Sequence, residues 1–180
     1  MTAREPPRLF RVARPASTAW NLAKTLGQIA AVWTFALVLL PAMVVHLEDI
    51  GGVPRWSSTS SAVPGGVLFA AGSVVGLWCA WLMASQGNGT PVPFDACSEL
   101  IVAGPYRVVR NPMAVSAVVQ TIGVGVILGS TGTCALAVVG AVIWHLAIRP
   151  PEERFLALQF GEPYEAYRAR VRCWVPTRPN

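Results

Sequence analysis

Two long stretches of this chain carry no ionised side chain. One runs from Trp56 to Phe94, the other from Asn111 to Ile148. A helix in water keeps a polar face, whereas a helix in lipid needs none, so runs this apolar belong in a bilayer. Composition agrees. The chain is 53% hydrophobic and 13% charged, with a mean hydropathy of +0.49, where soluble domains average about 25% charged. The sequence therefore predicts an all-α integral membrane protein with about four transmembrane helices and a C-terminal cytoplasmic or interfacial helical tail. A soluble all-α bundle with a very apolar core is the lesser reading, because its helices would show a polar face.

The spans fall near residues 26–46, 65–85, 112–129 and 133–149. A polar tail occupies 1–24, a cytoplasmic tail 150–180, and residues 25–180 read as a single domain. The first run ends in Met-Val-Val-His rather than a small-residue cleavage site, so it reads as an uncleaved helix. Pro41 is expected to kink it, and Leu47 to Pro64 to form a loop. Gly72 and Gly76 have the spacing that lets membrane helices approach closely. Pro112 suits a first helical turn, and Gly129 to Gly132 a tight turn. Pro150-Pro151 should break the fourth helix. Gly161 suits a C-cap and Pro163 a new start. In that last helix Tyr164, Tyr167 and Val171 share one face and Arg168 and Arg172 another, the pattern of an interfacial amphipathic helix.

Charge gives the orientation. Of the fourteen Lys and Arg residues, five lie in the N-terminal tail, one in the first loop, two in the second and six in the C-terminal tail. With four spans, thirteen fall on one side. That side is predicted to be the cytoplasm, with both termini there, in a bacterial inner membrane. The net charge of +5 then points to anionic headgroups rather than nucleic acid. Cys79, Cys97, Cys134 and Cys173 form no C-x-x-C pair and no zinc-like spacing, so neither a disulfide nor a metal site is expected.

The polar hinge between the two apolar stretches reads Gly104-Pro105-Tyr106-Arg107-Val108-Val109-Arg110-Asn111-Pro112. A hairpin of the last two spans would bring Tyr106, Arg107, Arg110 and Asn111 to face Glu152 and Glu153. The bland reading is a headgroup-level charge cluster balanced by Arg149 and Arg154. The sharper one is a site in which carboxylates bind a cation and arginines an anion.

These motifs carry a resemblance. Gly104 to Met113, then Glu152-Glu153, Phe160-Gly161-Glu162, Tyr164, Tyr167, Val171 and Trp174-Val175-Pro176, resemble the isoprenylcysteine carboxyl methyltransferase family. Gly89 to Asp95 resembles its bacterial branch. The resemblance covers about Gly89 to Pro176. It implies a membrane enzyme that uses S-adenosylmethionine to methylate an acceptor entering from the lipid, such as the carboxylate of an isoprenoid-like or lipidic substrate. It implies a cofactor site of Gly104, Tyr106, Arg107, Arg110, Asn111, Pro112, Glu152, Glu153, Tyr164 and Tyr167, with Glu153 and Arg110 as catalytic residues. A carboxylate acceptor needs no base, whereas an amine or thiol would make Glu153 a candidate base. Two other readings compete. An NADPH-dependent membrane sterol or steroid reductase would want Asn-Tyr after the proline, where Met113-Ala114 stands, and lacks the paired glutamates. A non-catalytic membrane scaffold is favoured by Ala114 and Gln159, which depart from the family pattern.

Overall fold

The computed structural model describes residues 10–56 and 59–177. The start of the N-terminal tail, with Arg4, Pro6, Pro7 and Arg8, lies outside the described residues, as do Ser57 and Ser58 of the first loop. Among the described residues the chain is helical, apart from one isolated parallel bridge between Val12 and Ala96. The helices are α1 (Thr18–Trp33), α2 (Leu40–Ile50), α3 (Thr59–Ser85), α4 (Pro112–Leu128), α5 (Thr131–Ile143), α6 (Arg149–Phe160) and α7 (Glu162–Arg170).

Two proline sites share one physical device. Proline cannot donate the hydrogen bond that continues a helix, and a wider π-helical turn ahead of it can absorb the loss. Such a turn, Thr34–Leu39, precedes Pro41, so α1 and α2 run on as one helix from Thr18 to Ile50. Another, Trp144–Ile148, precedes Pro150-Pro151. The predicted break is therefore absent, and α5 and α6 form one helix from Thr131 to Phe160. The first loop shrinks accordingly, because residues to Ile50 are helical and Pro64 lies inside α3.

Among the described residues, three helices are long and apolar enough to cross a membrane: Thr18–Ile50, Ser60–Ser85 and Thr131–Phe160. The fourth, Pro112–Leu128, is apolar but has only 17 residues, about 25 Å at helical rise. The count of four is thus approximate, and the all-α membrane fold stands.

The chain gathers into two compact units. One comprises Met1–Gly27, Trp78–Pro112 and Trp144–Asn180; the other comprises Gln28–Leu77 and Met113–Ile143. In the second unit small residues let helices touch, as packing in lipid requires. A Cβ at Gly72 would meet Gln120 Cγ at 2.7 Å and Ser116 O at 2.9 Å. Gln120 Nε2 donates to Ser73 Oγ across the same contact (3.0 Å). The spacing of Gly72 and Gly76 therefore marks a real helix crossing. Glu48, expected in a loop, is instead a buried residue of α2. Its Oε1 accepts the Gly132 N–H at 2.6 Å, satisfying an orphan donor in the first turn of α5. Ser130 Oγ accepts the Thr133 N–H there (2.9 Å). The outward residues of this unit, among them Val32, Phe35, Val38, Val67 and Val139, are exposed and apolar, as lipid contact demands.

Candidate functional site

The site is built inside the first unit, from the hinge, the start of α6 and the C-terminal tail. The hinge begins with a short 3₁₀ turn, Gly104–Arg107. Gly104 has φ +55°, and a Cβ there would meet Leu82 Cδ1 at 2.9 Å and Trp78 at 3.1 Å. Its role is a close approach to the end of α3, which only glycine permits.

Arg110 is the fixed centre. Its Nη2 donates to Glu153 Oε1 (2.9 Å), and its Nη1 to the Arg168 carbonyl (3.1 Å). Its backbone N–H donates to Arg172 O (2.9 Å). Both side chains of the Arg110–Glu153 pair are largely buried, at 11% and 14% exposed. Glu153 Oε1 also lies 3.5 Å from Arg149 Nη1, and Oε2 lies 3.9 Å from Arg168 Nε. Guanidinium groups thus surround both oxygens of Glu153. This geometry anchors Arg110 and leaves Glu153 poorly placed to bind a second cation. Of the two arginines expected to balance the carboxylates, Arg149 does so, while Arg154 is exposed.

Glu152 has a different environment. It is partly buried, and the Asn111 side chain hydrogen-bonds its carboxylate. A neutral amide orients the carboxylate without cancelling its charge. Tyr106 lies close by, buried at 7% exposed. Burial pushes its phenol well up, and the nearby Cys79, Cys97, Glu152 and Tyr167 add to this. Its hydroxyl makes no hydrogen bond to nitrogen or oxygen among the described residues and has the Cys79 thiol beside it. Gln159 Nε2 donates to Cys97 O (2.9 Å); among the described residues neither its buried Oε1 nor Arg149 Nε has a partner. Burial also pushes the Cys97 thiol up to about 12, so it is no nucleophile at neutral pH.

The other expected site residues border this group. Arg107 is exposed and Pro112 is buried at the start of α4. Tyr164 and Tyr167, expected to line a pocket on an interfacial helix, are 2% and 5% exposed. They form a core with Val171, against Leu100, Leu156, Ala157 and Phe160. The apolar face of α7 is therefore covered by the chain itself rather than by lipid. Tyr167 donates its hydroxyl to Tyr106 O (2.8 Å), tying α7 to the hinge. Burial raises both phenols further, so each stays neutral.

Two straps escaped the sequence reading. Residues past α7 return to the hinge, with Thr177 N–H donating to Val108 O (2.8 Å). Trp174 Nε1 donates to His145 Nδ1 (2.9 Å). At the other end, Arg11 N–H donates to Pro93 O (2.9 Å) and Ala13 N–H to Ala96 O (2.8 Å). Phe10 stacks on Phe155 with ring centroids 5.0 Å apart. Only Trp174-Val175-Pro176 gave a signal, as part of the family resemblance. Phe10 gave none.

The donor set suits S-adenosylmethionine. Glu152 matches a sulfonium or ammonium, Arg149 Nε and the Tyr106 hydroxyl are unspent donors, and Gln159 Oε1 is an unspent acceptor. Among the described residues, no group of three or more His, Cys, Asp or Glu gathers as metal ligands would.

Comparison with known proteins gives two kinds of match. A family model described as phospholipid methyltransferase matches residues 61–163. The cobalt-zinc-cadmium resistance protein CzcN of Cupriavidus metallidurans is 28% identical over 149 residues, covering 81% of this chain and 62% of its own length. The nickel-cobalt-cadmium resistance protein NccN of Alcaligenes xylosoxydans xylosoxydans is 26% identical over 137 residues, covering 74% and 60%. The chain thus spans about three fifths of the length of these curated relatives.

Proposed function

The chain belongs to the phospholipid methyltransferase family, and from that premise we propose that it transfers a methyl group from S-adenosylmethionine to an acceptor in the lipid phase. The resemblance to isoprenylcysteine carboxyl methyltransferases falls within this family's range. The family match also supports methyl transfer over NADPH-dependent reduction. The observation that carries the reading is Glu152, a partly buried carboxylate oriented by Asn111 beside the Tyr106 hydroxyl.

When bound, S-adenosylmethionine supplies a methyl group on a positively charged sulfur. Glu152 presents negative charge to its sulfonium or ammonium, at low local dielectric where the attraction is strong. Arg149 Nε and the Tyr106 hydroxyl would offer it donors, and Gln159 Oε1 would offer it an acceptor. Arg110 holds the hinge and the start of α6 in register. The acceptor we infer is a carboxylate. It is already anionic at neutral pH, so its oxygen forms the new bond to carbon without losing a proton, and the sulfur leaves with the electron pair. The resemblance of Gly104 to Met113 and of Glu152-Glu153 to carboxyl methyltransferases supports a carboxylate acceptor. Rate enhancement then rests on alignment and fixed charge.

Both termini and the site are read as cytoplasmic, supported by the thirteen basic residues that four crossings would put on one side. The relatives' names concern metal resistance. A methylated envelope lipid is one route by which such a protein could serve metal tolerance, and the acceptor chemistry proposed needs no bound metal.

The test is mass spectrometry of membrane lipids incubated with purified protein and S-adenosylmethionine. One acidic lipid should gain a single methyl and become insensitive to carboxylate-directed labelling. Methyl gain on an amine lipid would overturn the carboxylate assignment, and no gain on any lipid would count against the enzyme.

A further inference from the structure

Two parts of the candidate site lie far apart in sequence: the hinge, which ends in Asn111 and Pro112, and the start of α6, which carries Arg149 and Glu152. One loop of the C-terminal tail touches both. Arg172 O accepts the Arg110 N–H (2.9 Å), and Thr177 N–H donates to Val108 O (2.8 Å). The loop between these bonds is closed on itself, since Arg172 N–H donates to Thr177 Oγ1 (3.0 Å). Residues 172–177 therefore clasp residues 108–110 through main-chain groups.

Trp174, inside that loop, reaches the other part. Its Nε1 donates to His145 Nδ1 (2.9 Å). Its ring meets Trp144 edge to face, with centroids 5.2 Å apart at 90°. Trp144 and His145 open the π-helical turn Trp144–Ile148, and Arg149 follows it directly. A π-helical turn holds one residue more than an α-helical one, so it rotates everything after it by about 100°. That turn decides where Arg149 and Glu152 point, and both contacts of Trp174 fall on its first two residues. Burial alone would be served by any apolar side chain, whereas the indole N–H and the imidazole nitrogen add a directional bond. Arg172, Val175 and Pro176 are exposed. Little apolar burial holds the loop there, so these bonds decide whether it stays closed.

We propose that Trp174 is a positioning residue of the candidate site: bonded to His145, it clasps the C-terminal loop onto the hinge and holds Asn111 in register with Glu152. The ligand that reports on this is S-adenosylmethionine, and to that extent the role of Trp174 rests on the proposed function.

The experiment pairs two measurements on the full chain in detergent: amide hydrogen exchange by mass spectrometry, and equilibrium binding of labelled S-adenosylmethionine. Trp174→Phe keeps a ring against Trp144 and loses the donor. His145→Leu loses the acceptor, while His145→Asn places an amide oxygen near the position of Nδ1 and keeps one. In Trp174→Phe and His145→Leu, exchange in peptides covering 105–112 and 171–177 should speed up about fivefold, the change one hydrogen bond makes in an opening equilibrium. Peptides from α3 should not change. Affinity for S-adenosylmethionine should fall about threefold to fivefold, with the Tm lowered by no more than about 4 °C. His145→Asn should restore both readouts. The proposal is overturned by unchanged exchange at the hinge, by exchange that rises equally in α3, or by full affinity in Trp174→Phe. It is also overturned if His145→Asn behaves as His145→Leu does. Localised exchange with no S-adenosylmethionine binding by the unmodified protein would overturn the proposed function instead, and with it the link from clasp to cofactor.

Discussion

Arg110→Ala should lower the melting temperature on the order of 10 °C and abolish S-adenosylmethionine binding. The guanidinium makes two links: it pairs with Glu153 and donates to the Arg168 carbonyl, while the residue's backbone N–H bond to Arg172 O survives the substitution. Removing it leaves Glu153 largely buried beside a void, and breaking such a pair costs about 3 kcal/mol or more. That loss corresponds to several degrees per pair in a chain of this size. The hinge would also lose one of its ties to α6 and α7, next to Asn111, and keep that of Tyr106 O with the Tyr167 hydroxyl. Arg110→Lys should recover less than half of the stability, because an ammonium cannot reach both partners at once. Differential scanning fluorimetry in detergent reads both variants. A drop of under 2 °C in Arg110→Ala would make the pair a surface contact.

Glu152→Gln should weaken S-adenosylmethionine binding by about tenfold or more, equivalent to about 1.4 kcal/mol, while moving the melting temperature little. The amide keeps the shape and can still bond Asn111, but loses the charge. Glu162→Gln, on an exposed residue of the tail, should change neither quantity. Glu153→Gln should behave like Arg110→Ala, lowering stability first, because it disrupts an arginine cluster. Isothermal titration on the four proteins separates these outcomes. Equal, small affinity losses in Glu152→Gln and Glu162→Gln would reduce the carboxylate pair to a charge cluster.

The sequence assigns catalysis to Glu153 and treats Glu152 as its companion. Adjacent residues in a helix point about 100° apart, and spacing alone does not say which one meets the arginines. Other features were plainly legible. Charge-free runs gave the membrane helices, Pro112 gave the start of α4, and Gly161 with Pro163 gave the boundary of α6 and α7. The meeting of Arg110 with Glu153 followed from a hairpin drawn on topology alone. The π-helical turns before Pro41 and Pro150 were not legible, because proline signals a break and gives no sign that the preceding turn will widen. The burial of Tyr164 and Tyr167 was misjudged for a related reason. A stripe of tyrosines fits an interface and a core equally well, and Leu100, which decides the matter, lies far away in sequence. Glu48 reads as a loop residue until a distant helix start, Gly132, supplies its partner.

The account turns on S-adenosylmethionine as the ligand of the hinge and α6. Equilibrium binding of labelled S-adenosylmethionine and of NADPH to the detergent-purified full chain tests this most directly. Saturable, one-to-one binding of S-adenosylmethionine, lost in Arg110→Ala and weakened in Glu152→Gln, is the predicted result. Binding of NADPH instead, or of neither, would contradict it.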